Sequence, residues 1–396
     1  MWELPLRAGT IVRSPIAVDA AGDLYWSEEY AGPQGSPTQQ IVSVAATGAP
    51  RWRHDVRARE PDRDVLSPLP LLAGDELVVI REDFSATTGA QGLTALRTSD
   101  GAEVWTRRLD TPGCLASVEQ PAASPDAVFA WVSRSCDGPA TGTLEAFDRA
   151  TGAPRGSVAL AGWPYVDEQG GVALLHWGGE HDELVALAPD RALRWRAPGS
   201  GADWRSAVGL GVVVADDGVH DAAAVALRFP LSGFTRSPVL ADGAIVWIEA
   251  VSTREPVRMK RQALDAVAPS WDVVLAEPFP EGGYGKAWTS FTWPVATSVG
   301  TFLVLEHQWS LYDANHRASF LREIDRDGKD VFRLRLPPGT YGGDQSFALH
   351  DGRVAVVVER DGDTPAIRAF DVPGRAPAAH GWVTIGGTMA RDRRAR

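Results

Sequence analysis

The chain has 396 residues and a formal net charge of −12, with 44% hydrophobic and 23% charged residues. Its length exceeds what one hydrophobic core usually holds, so it must contain several domains or a repeat architecture. The composition argues against extensive disorder, and the acidic charge argues against a nucleic-acid binder. No apolar run is long enough to predict a transmembrane segment.

The two termini carry few structural signals. The N-terminal stretch MWELPLRAGT has neither a basic segment nor an apolar core, so it predicts no signal peptide. We therefore expect either a cytosolic chain or a mature form whose leader has been removed. Residues 391–396 are predicted to be a flexible basic tail, and residues 1–390 a single domain.

A polar turn followed by an aromatic residue recurs along the chain. The spacing of four residues is kept at the following pairs: Gly48 and Trp52, Gly101 and Trp105, Arg191 and Trp195, and Gly328 and Phe332. Trp271 keeps the aromatic after a reworked turn, whereas Gly156 stands where an aromatic would follow the turn at Gly152. Such turns predict β-hairpins, since glycine supplies the positive φ of a tight turn. We expect each ring to pack over the turn and brace the neighbouring hairpin, stabilising the fold by about 1–3 kcal/mol.

A second hairpin precedes each of these units. In three copies it starts with a Ser-Pro pair, at Ser14-Pro15, Ser67-Pro68 and Ser237-Pro238. Proline is tolerated at the first residue of a strand, where no ladder donor is needed. Two hairpins at a period of about fifty residues predict an all-β protein, a β-propeller of four-stranded antiparallel blades. A pair of β-sandwiches is the alternative, but it does not account for the regular aromatic residue.

The number of blades follows from the first strands. They are predicted to start near residues 14, 67, 120, 166, 206, 237, 293 and 346, which gives eight blades. The fifth unit is short and lacks the turn and its aromatic, so seven blades with an insertion is the alternative. The N-terminal WELPLRAG resembles a final strand, and we expect it to complete the last blade and close the ring.

The two cysteines, Cys114 and Cys136, are placed symmetrically about residue 125 within a predicted hairpin turn at residues 124–126. Antiparallel pairing would set them directly opposite each other, at the separation that a disulfide needs. Two free thiols are the alternative. A disulfide would indicate an oxidising compartment, namely the periplasm, the cell surface or the exterior.

Motifs for chemistry are missing from the sequence. We find no nucleophile elbow, zinc-protease motif, dinucleotide fingerprint or P-loop, and we predict no catalytic, cofactor or metal site. His176 and His181, with Glu180 between them, match no zinc spacing. The segment DRDGKD lacks the later ligands of a calcium loop and is predicted to be a hairpin turn.

Other tryptophans are candidates for a binding surface. Trp26, Trp131, Trp177 and Trp247 lie at or just beyond the ends of second strands. Packing between blades is the favoured interpretation for them, and exposure at a rim or channel is the alternative. The Gly- and aromatic-rich segment 281–294 is predicted to be a loop and the best single candidate for a contact surface.

The repeat resembles that of a known family. The unit from Ala95 to Trp105 is similar to the tryptophan-docking repeat of the quinoprotein (PQQ-type) β-propellers, and the segments 237–247 and 380–396 resemble other parts of that family. Its catalytic members hold a quinone and calcium, typically under adjacent cysteines, which this chain lacks. The resemblance therefore implies the non-catalytic branch, that of the BamB-type outer-membrane assembly lipoproteins, which bind partner proteins through loops of an eight-bladed ring.

The sequence thus leads to one functional hypothesis and two alternatives. We expect a non-enzymatic scaffold without a cofactor, in the cell envelope or extracellular space, that binds a partner protein through surface loops. Attachment to an outer-membrane or surface assembly, and lipid anchoring, are implied only by the resemblance, since no lipobox cysteine is seen. The alternatives are a glycan-binding propeller and a divergent quinoprotein dehydrogenase.

Overall fold

The structure is a computed structural model of the whole chain. It describes residues 1–12, 14–31, 37–58, 70–83, 90–111, 113–136, 141–176, 182–198, 207–215, 217–223, 226–231, 235–249, 255–276, 288–291, 294–309, 318–337, 340–341, 347–359 and 365–378.

These residues form eight antiparallel sheets, which we number as blades 1 to 8 in chain order. The strands of the first four blades, after the N-terminal strand β1 (Trp2–Pro5), are as follows. Blade 1 contains β2 (Ile11–Val12), β3 (Ala17–Val18), β4 (Leu24–Ala31), β5 (Pro37–Val44) and β6 (Pro50–Ala58). Blade 2 contains β7 (Leu71–Ala73), β8 (Glu76–Asp83), β9 (Ala90–Arg97) and β10 (Glu103–Arg108). Blade 3 contains β11 (Leu115–Ala123), β12 (Ala127–Ser135), β13 (Thr141–Asp148) and β14 (Pro154–Val158). Blade 4 contains β15 (Pro164–Val166), β16 (Val172–His176), β17 (Glu183–Leu187) and β18 (Leu193–Pro198).

The second half of the chain repeats this plan. Blade 5 contains β19 (Ala207–Gly209), β20 (Val212–Ala215), β21 (Gly218–Asp221) and β22 (Leu227–Pro230). Blade 6 contains β23 (Thr235–Ala241), β24 (Ala244–Glu249), β25 (Val257–Ala263) and β26 (Trp271–Ala276). Blade 7 contains β27 (Trp288–Phe291), β28 (Val295–Ala296), β29 (Phe302–Trp309), β30 (Ala318–Ile324) and β31 (Asp330–Arg335). Blade 8 contains β32 (Thr340–Tyr341), β33 (Phe347–His350), β34 (Arg353–Glu359) and β35 (Ala366–Asp371), together with β1.

The first strands of neighbouring blades contact one another. Strand β3 of blade 1, for example, contacts β7 of blade 2 on one side and β33 of blade 8 on the other. All six residues of β24 are buried, whereas in β10, the outermost strand of blade 2, only Trp105 is buried. Each blade hides its faces against its neighbours, because a single four-stranded sheet could not bury them alone. The protein is therefore an eight-bladed β-propeller, as the repeat predicts.

The ring closes with both ends of the chain in one blade. Strand β1 pairs antiparallel with β35, placing Trp2 opposite Ala369 and Leu4 opposite Ile367. Arg368 also forms an ion pair of 2.5 Å with Glu3 across the same two strands. The predicted closure by the N-terminal strand is confirmed. Strand β1 is the outermost strand of blade 8, so this blade is completed like the others.

Two expectations about individual segments need correction. Blade 5 is complete with four strands, so the seven-bladed alternative is wrong. Within segment 281–294, predicted to be a loop, Trp288–Phe291 is strand β27 and pairs with β29. Residues 281–287, 292 and 293 of that segment lie outside the described residues.

The chain beyond β35 runs back to blade 7. The Ala378 amide donates a hydrogen bond of 3.0 Å to the Ala296 carbonyl, and the Ser298 amide donates one of 2.7 Å to the Ala376 carbonyl. Arg375 forms a 2.5 Å ion pair with the fully buried carboxylate of Glu323. This segment therefore fastens blade 8 to blade 7.

Candidate functional site: the interface between blades 3 and 4

Five tryptophans join neighbouring blades in the same way. Each stands on the outermost strand of one blade, and its indole N–H donates to a main-chain carbonyl in the last hairpin turn of the next blade. The donor and acceptor pairs are Trp2 to Ala46 (3.0 Å), Trp52 to Thr98 (2.8 Å), Trp105 to Arg149 (2.7 Å), Trp195 to Ala222 (2.7 Å) and Trp271 to Arg326 (2.7 Å). We call these the docking tryptophans. They brace the following blade rather than their own turn.

Glycine in the receiving turn lets the indole approach. At Gly101, with φ +73°, an added Cβ would lie 2.6 Å from a ring carbon of Trp52. At Gly152, with φ +65°, it would lie 2.6 Å from a ring carbon of Trp105. Glycine is needed at these two positions both for the backbone conformation and for the contact with the ring.

Two phenylalanines stand at the corresponding place in other blades. Phe332 of blade 7, singled out by the sequence, is half-buried against the largest hydrophobic cluster. Phe229 of blade 5, which the sequence analysis missed, is only 6% exposed and opposes Val219, as Trp195 opposes Ala186. The signal was present, because Leu-Arg-Phe at 227–229 repeats Leu-Arg-Trp at 193–195.

The interface between blades 3 and 4 reverses this contact. Gly156 occupies the tryptophan position on β14, and Arg191 occupies the glycine position in the turn of blade 4, with φ +70°. Instead of a ring reaching forward from blade 3, the Arg191 guanidinium reaches back and donates to the Arg155 carbonyl. It lies so close over Gly156 that an added Cβ there would be 2.7 Å from Arg191 Nη1.

This interface contains a cavity of about 270 Å³, which we call the interface pocket. Its apolar lining includes Ala127, Phe129 and Ala146. Its remaining lining comes from the turns of both blades: Ser124, Pro125, Asp126, Arg155, Glu168, Gln169, Gly170, Pro189 and Arg191. The pocket thus combines an apolar floor with a charged rim, at the one interface among the described residues where an arginine replaces the docking ring.

Ion pairs hold part of the rim in place. Arg155 donates to Asp126 at 2.5 Å and to Asp148 at 2.7 Å. These hydrogen bonds from Arg155 are the main reason that the pKa of each carboxyl lies below its ordinary value of 3.8. Both carboxylates are therefore charged at neutral pH, and Arg155 is fixed by two partners while Arg191 spans the interface.

The inner half of blade 3 is cross-linked. Cys114 and Cys136 form a disulfide with their Cα atoms 4.3 Å apart. The register of β11 and β12 places Leu115 opposite Ser135, so the cysteines are the next opposed pair, which confirms the predicted pairing. Blade 3 is thus joined covalently through its first hairpin, while its outermost strand lacks a docking ring.

Three buried carboxylates are neutralised within their own blades. Glu28, Glu249 and Glu306 each stand six residues after a turn glycine on a second strand, and each is at most 8% exposed. The cations that pair with them are Arg53 at 3.0 Å from Glu28, Lys260 beside Glu249, and Arg333 at 2.6 Å from Glu306. This arrangement is that of structural ion pairs, since each charge is compensated inside the sheet.

The remaining candidates from the sequence are placed as follows. Trp26 and Trp247 are buried, at 0% and 3% exposure, in hydrophobic clusters that combine residues from several blades, as the favoured interpretation predicts. Trp131 is half-buried. His176 contacts the main chain of Ala161 through Nδ1, while Trp177, Glu180 and His181 lie outside the described residues.

Two further observations concern metals and membranes. In the segment DRDGKD, Asp325 accepts hydrogen bonds from the amides of Asp327 and Lys329, which makes it the predicted turn. Within the described ranges, no three His, Cys, Asp or Glu side chains gather as a metal site would require. The same ranges contain no helix with the length and apolarity to cross a bilayer.

Comparison with known proteins finds similar solved structures at low identity. No family model matches the chain, and no curated protein does. Among solved structures, a europium-containing methanol dehydrogenase is 12% identical with a TM-score of 0.47, covering 89% of this chain and 84% of its own. A rhamnogalacturonan lyase is 12% identical with a TM-score of 0.49, covering 99% and 81%. The β-propeller domain of the Trilobed protease from Pyrococcus furiosus is 8% identical with a TM-score of 0.43, covering 80% and 98%. Similarity at this level concerns the fold alone.

Proposed function

We propose that this propeller is a non-catalytic scaffold of the cell envelope or extracellular space that binds a partner protein through its surface. The observation that carries the proposal is the interface pocket. Its volume of about 270 Å³ is below the range of about 300–1,000 Å³ that is usual for small-molecule sites. A recess of this size suits a single side chain of a partner, anchored in a pocket at an interface.

The rigidity of the ring supports the same function. Docking tryptophans fix five interfaces, and the C-terminal segment fastens blade 8 to blade 7. A pocket held between such elements is preorganised, and preorganisation lowers the entropic cost of binding. The disulfide in blade 3 supports an oxidising compartment as the place of action.

Site-specific cross-linking tests the proposal. A photo-crosslinking amino acid at Gln169, an exposed residue at the pocket rim, is expected to capture one discrete partner in envelope or secreted extract from the native host. The matched control carries the same amino acid at Val267, which is 96% exposed on blade 6. An identical band pattern from the two positions, or no adduct from Gln169, would contradict binding at this surface.

A further inference from the structure

We propose that the interface pocket accepts a tryptophan side chain of the partner protein. This inference rests on the proposed scaffold function and specifies its chemistry. The chain itself supplies the precedent, because at five other interfaces an indole ring lies against the equivalent turn. At blades 3 and 4 the ring is missing from the sequence, since position 156 is glycine, and the interface pocket lies beside the receiving turn of blade 4.

The receiving turn of blade 4 keeps the form that binds an indole elsewhere. In blade 1 the turn closes from the Gly48 amide to the Ala45 carbonyl at 2.8 Å, and the next carbonyl, that of Ala46, accepts the indole of Trp2. In blade 4 the turn closes from the Arg191 amide to the Ala188 carbonyl at 2.7 Å. The carbonyl equivalent to that of Ala46 therefore belongs to Pro189, which lines the pocket.

Blade 7 repeats this arrangement independently. There the Gly328 amide donates to the Asp325 carbonyl at 3.1 Å, and the next carbonyl, that of Arg326, accepts the indole of Trp271 at 2.7 Å. Two turns of this form thus present the same carbonyl to an indole N–H. We infer that the Pro189 carbonyl is the acceptor for an indole that enters from outside the chain.

The rest of the lining suits an aromatic ring better than an aliphatic chain. Arg191 lines the pocket, and its planar cation can attract the face of an indole. Phe129, only 3% exposed, supplies an aromatic surface at the floor, with Ala127 and Ala146 beside it. A tryptophan can use all three features together: stacking, apolar contact and one directed hydrogen bond.

The probe for the test is N-acetyl-L-tryptophanamide, observed by saturation-transfer NMR on the full chain. We expect saturable binding, with N-acetyl-L-leucinamide at least about tenfold weaker because it cannot stack on Arg191. The analogue methylated at the indole nitrogen is expected to bind several-fold more weakly, since it cannot donate to Pro189. Equal binding of the leucine and tryptophan probes would overturn the proposal.

Three variants locate the binding. Arg191→Lys keeps the charge but removes the planar group, and we expect about tenfold weaker binding. Ala146→Leu fills the floor and is expected to abolish binding. The matched control, Arg228→Ala, removes an exposed arginine next to the docked interface of blades 4 and 5 and is expected to change binding less than twofold. If Ala146→Leu does not fold, Arg191→Lys carries the test, and unchanged binding in that variant overturns the inference.

Cross-linking from Gln169 separates this inference from the function on which it rests. A partner that is captured equally by wild type, Arg191→Lys and Ala146→Leu would leave the scaffold function standing and overturn the tryptophan pocket. Indole binding that depends on Arg191, without any captured partner, would support the chemistry of the site and overturn the scaffold function. Loss of the captured partner in both variants, but not in Arg228→Ala, supports both.

Discussion

The interfaces on the two sides of blade 3 show how one repeat can serve two purposes. Between blades 2 and 3, Trp105 covers Gly152 and donates to Arg149. Between blades 3 and 4, Gly156 and Arg191 exchange the small and large positions, and a cavity of about 270 Å³ remains. The last two strands of blade 2 and the last two strands of blade 3 pair in the same register, each with a bulge at the equivalent position. The two interfaces therefore differ in the residue pair that joins the blades, while the propeller is preserved.

The comparison also separates stability from function. A docked interface stabilises the ring, whereas under the proposed function the interface between blades 3 and 4 gives up packing and provides a binding surface. Blade 3 carries the disulfide Cys114–Cys136 in its inner hairpin, so the blade with the weaker outer contact is reinforced inside.

The largest effect is expected at the docked interface. Trp105→Ala should lower the free energy of unfolding by about 4 kcal/mol, because a large buried ring and its hydrogen bond are lost together. Urea unfolding of the purified variant measures this. Val104→Ala is the control, since Val104 is 38% exposed on the same strand and should cost less than about 0.5 kcal/mol. Equal losses in the two variants would break the comparison.

The disulfide is expected to contribute somewhat less. Replacing both Cys114 and Cys136 by serine opens a loop of 22 residues and should cost about 3 kcal/mol. Denaturant unfolding with and without dithiothreitol checks this, because the reductant should destabilise wild type and leave the double variant unchanged. A reductant effect of the same size on both proteins would show that the bond does not stabilise blade 3.

Mild acid is expected to act on blade 7 and not on the interface pocket. Burial lowers the pKa of His307 from its ordinary 6.5 to about 4. A lowered histidine pKa means that the unfolded chain binds the proton first, so the free energy of unfolding falls as pH decreases from 6.5 to about 4, by about 3 kcal/mol. The pKa values of Asp126 and Asp148 are lowered below 3.8. The stability that these two carboxylates contribute is therefore fully present above pH 3.8 and is lost only as the pH falls below it.

The control for the acid effect is His307→Gln. Its unfolding free energy should change less than that of wild type between pH 7 and pH 4.5, measured in urea. An unchanged pH dependence in the variant would mean that another group is responsible. Acid loosening that begins in blade 3 above pH 4 would contradict the assignment of its ion pairs.

The smallest effect is expected at the reversed contact. Arg191→Gly removes the hydrogen bond to the Arg155 carbonyl but also relieves a non-glycine residue at φ +70°. These contributions oppose each other, so the melting temperature should shift by only about 2 °C in either direction. Differential scanning calorimetry decides this, and a fall as large as that of Trp105→Ala would show that Arg191 is equivalent to a docking tryptophan.

The sequence predicts the blades and their closure into a ring well, because turn residues and strand alternation are local signals in the sequence. The starts of the blades, the closure by β1 and the pairing of Cys114 with Cys136 all follow from spacing. Phe229 was missed because the turn before it, at 222–226, has neither a glycine nor the four-residue spacing to a polar turn residue that marks most other copies. A purely local signal does not extend to a contact that joins different blades.

The sequence does not predict the interface pocket, because the pocket depends on contacts between two blades. Gly156 was noted as a missing aromatic, but the reversal by Arg191 depends on how blade 4 is set against blade 3. Likewise the segment 281–294 was predicted to be a loop on composition, whereas Trp288–Phe291 pairs with β29 through contacts that composition does not record. Glu28, Glu249 and Glu306 share a position in the repeat, yet only their burial shows that they are structural.

Native-state hydrogen exchange of the outermost strands tests the central contrast most directly. The comparison is between β10 of blade 2, held by Trp105, and β14 of blade 3, which carries Gly156 at that position. We predict that amides of β14 open with a free energy lower by about 1–3 kcal/mol than those of β10, and that Trp105→Ala brings β10 to the level of β14. Equal protection of the two strands in wild type, or greater protection of β14, would contradict the account.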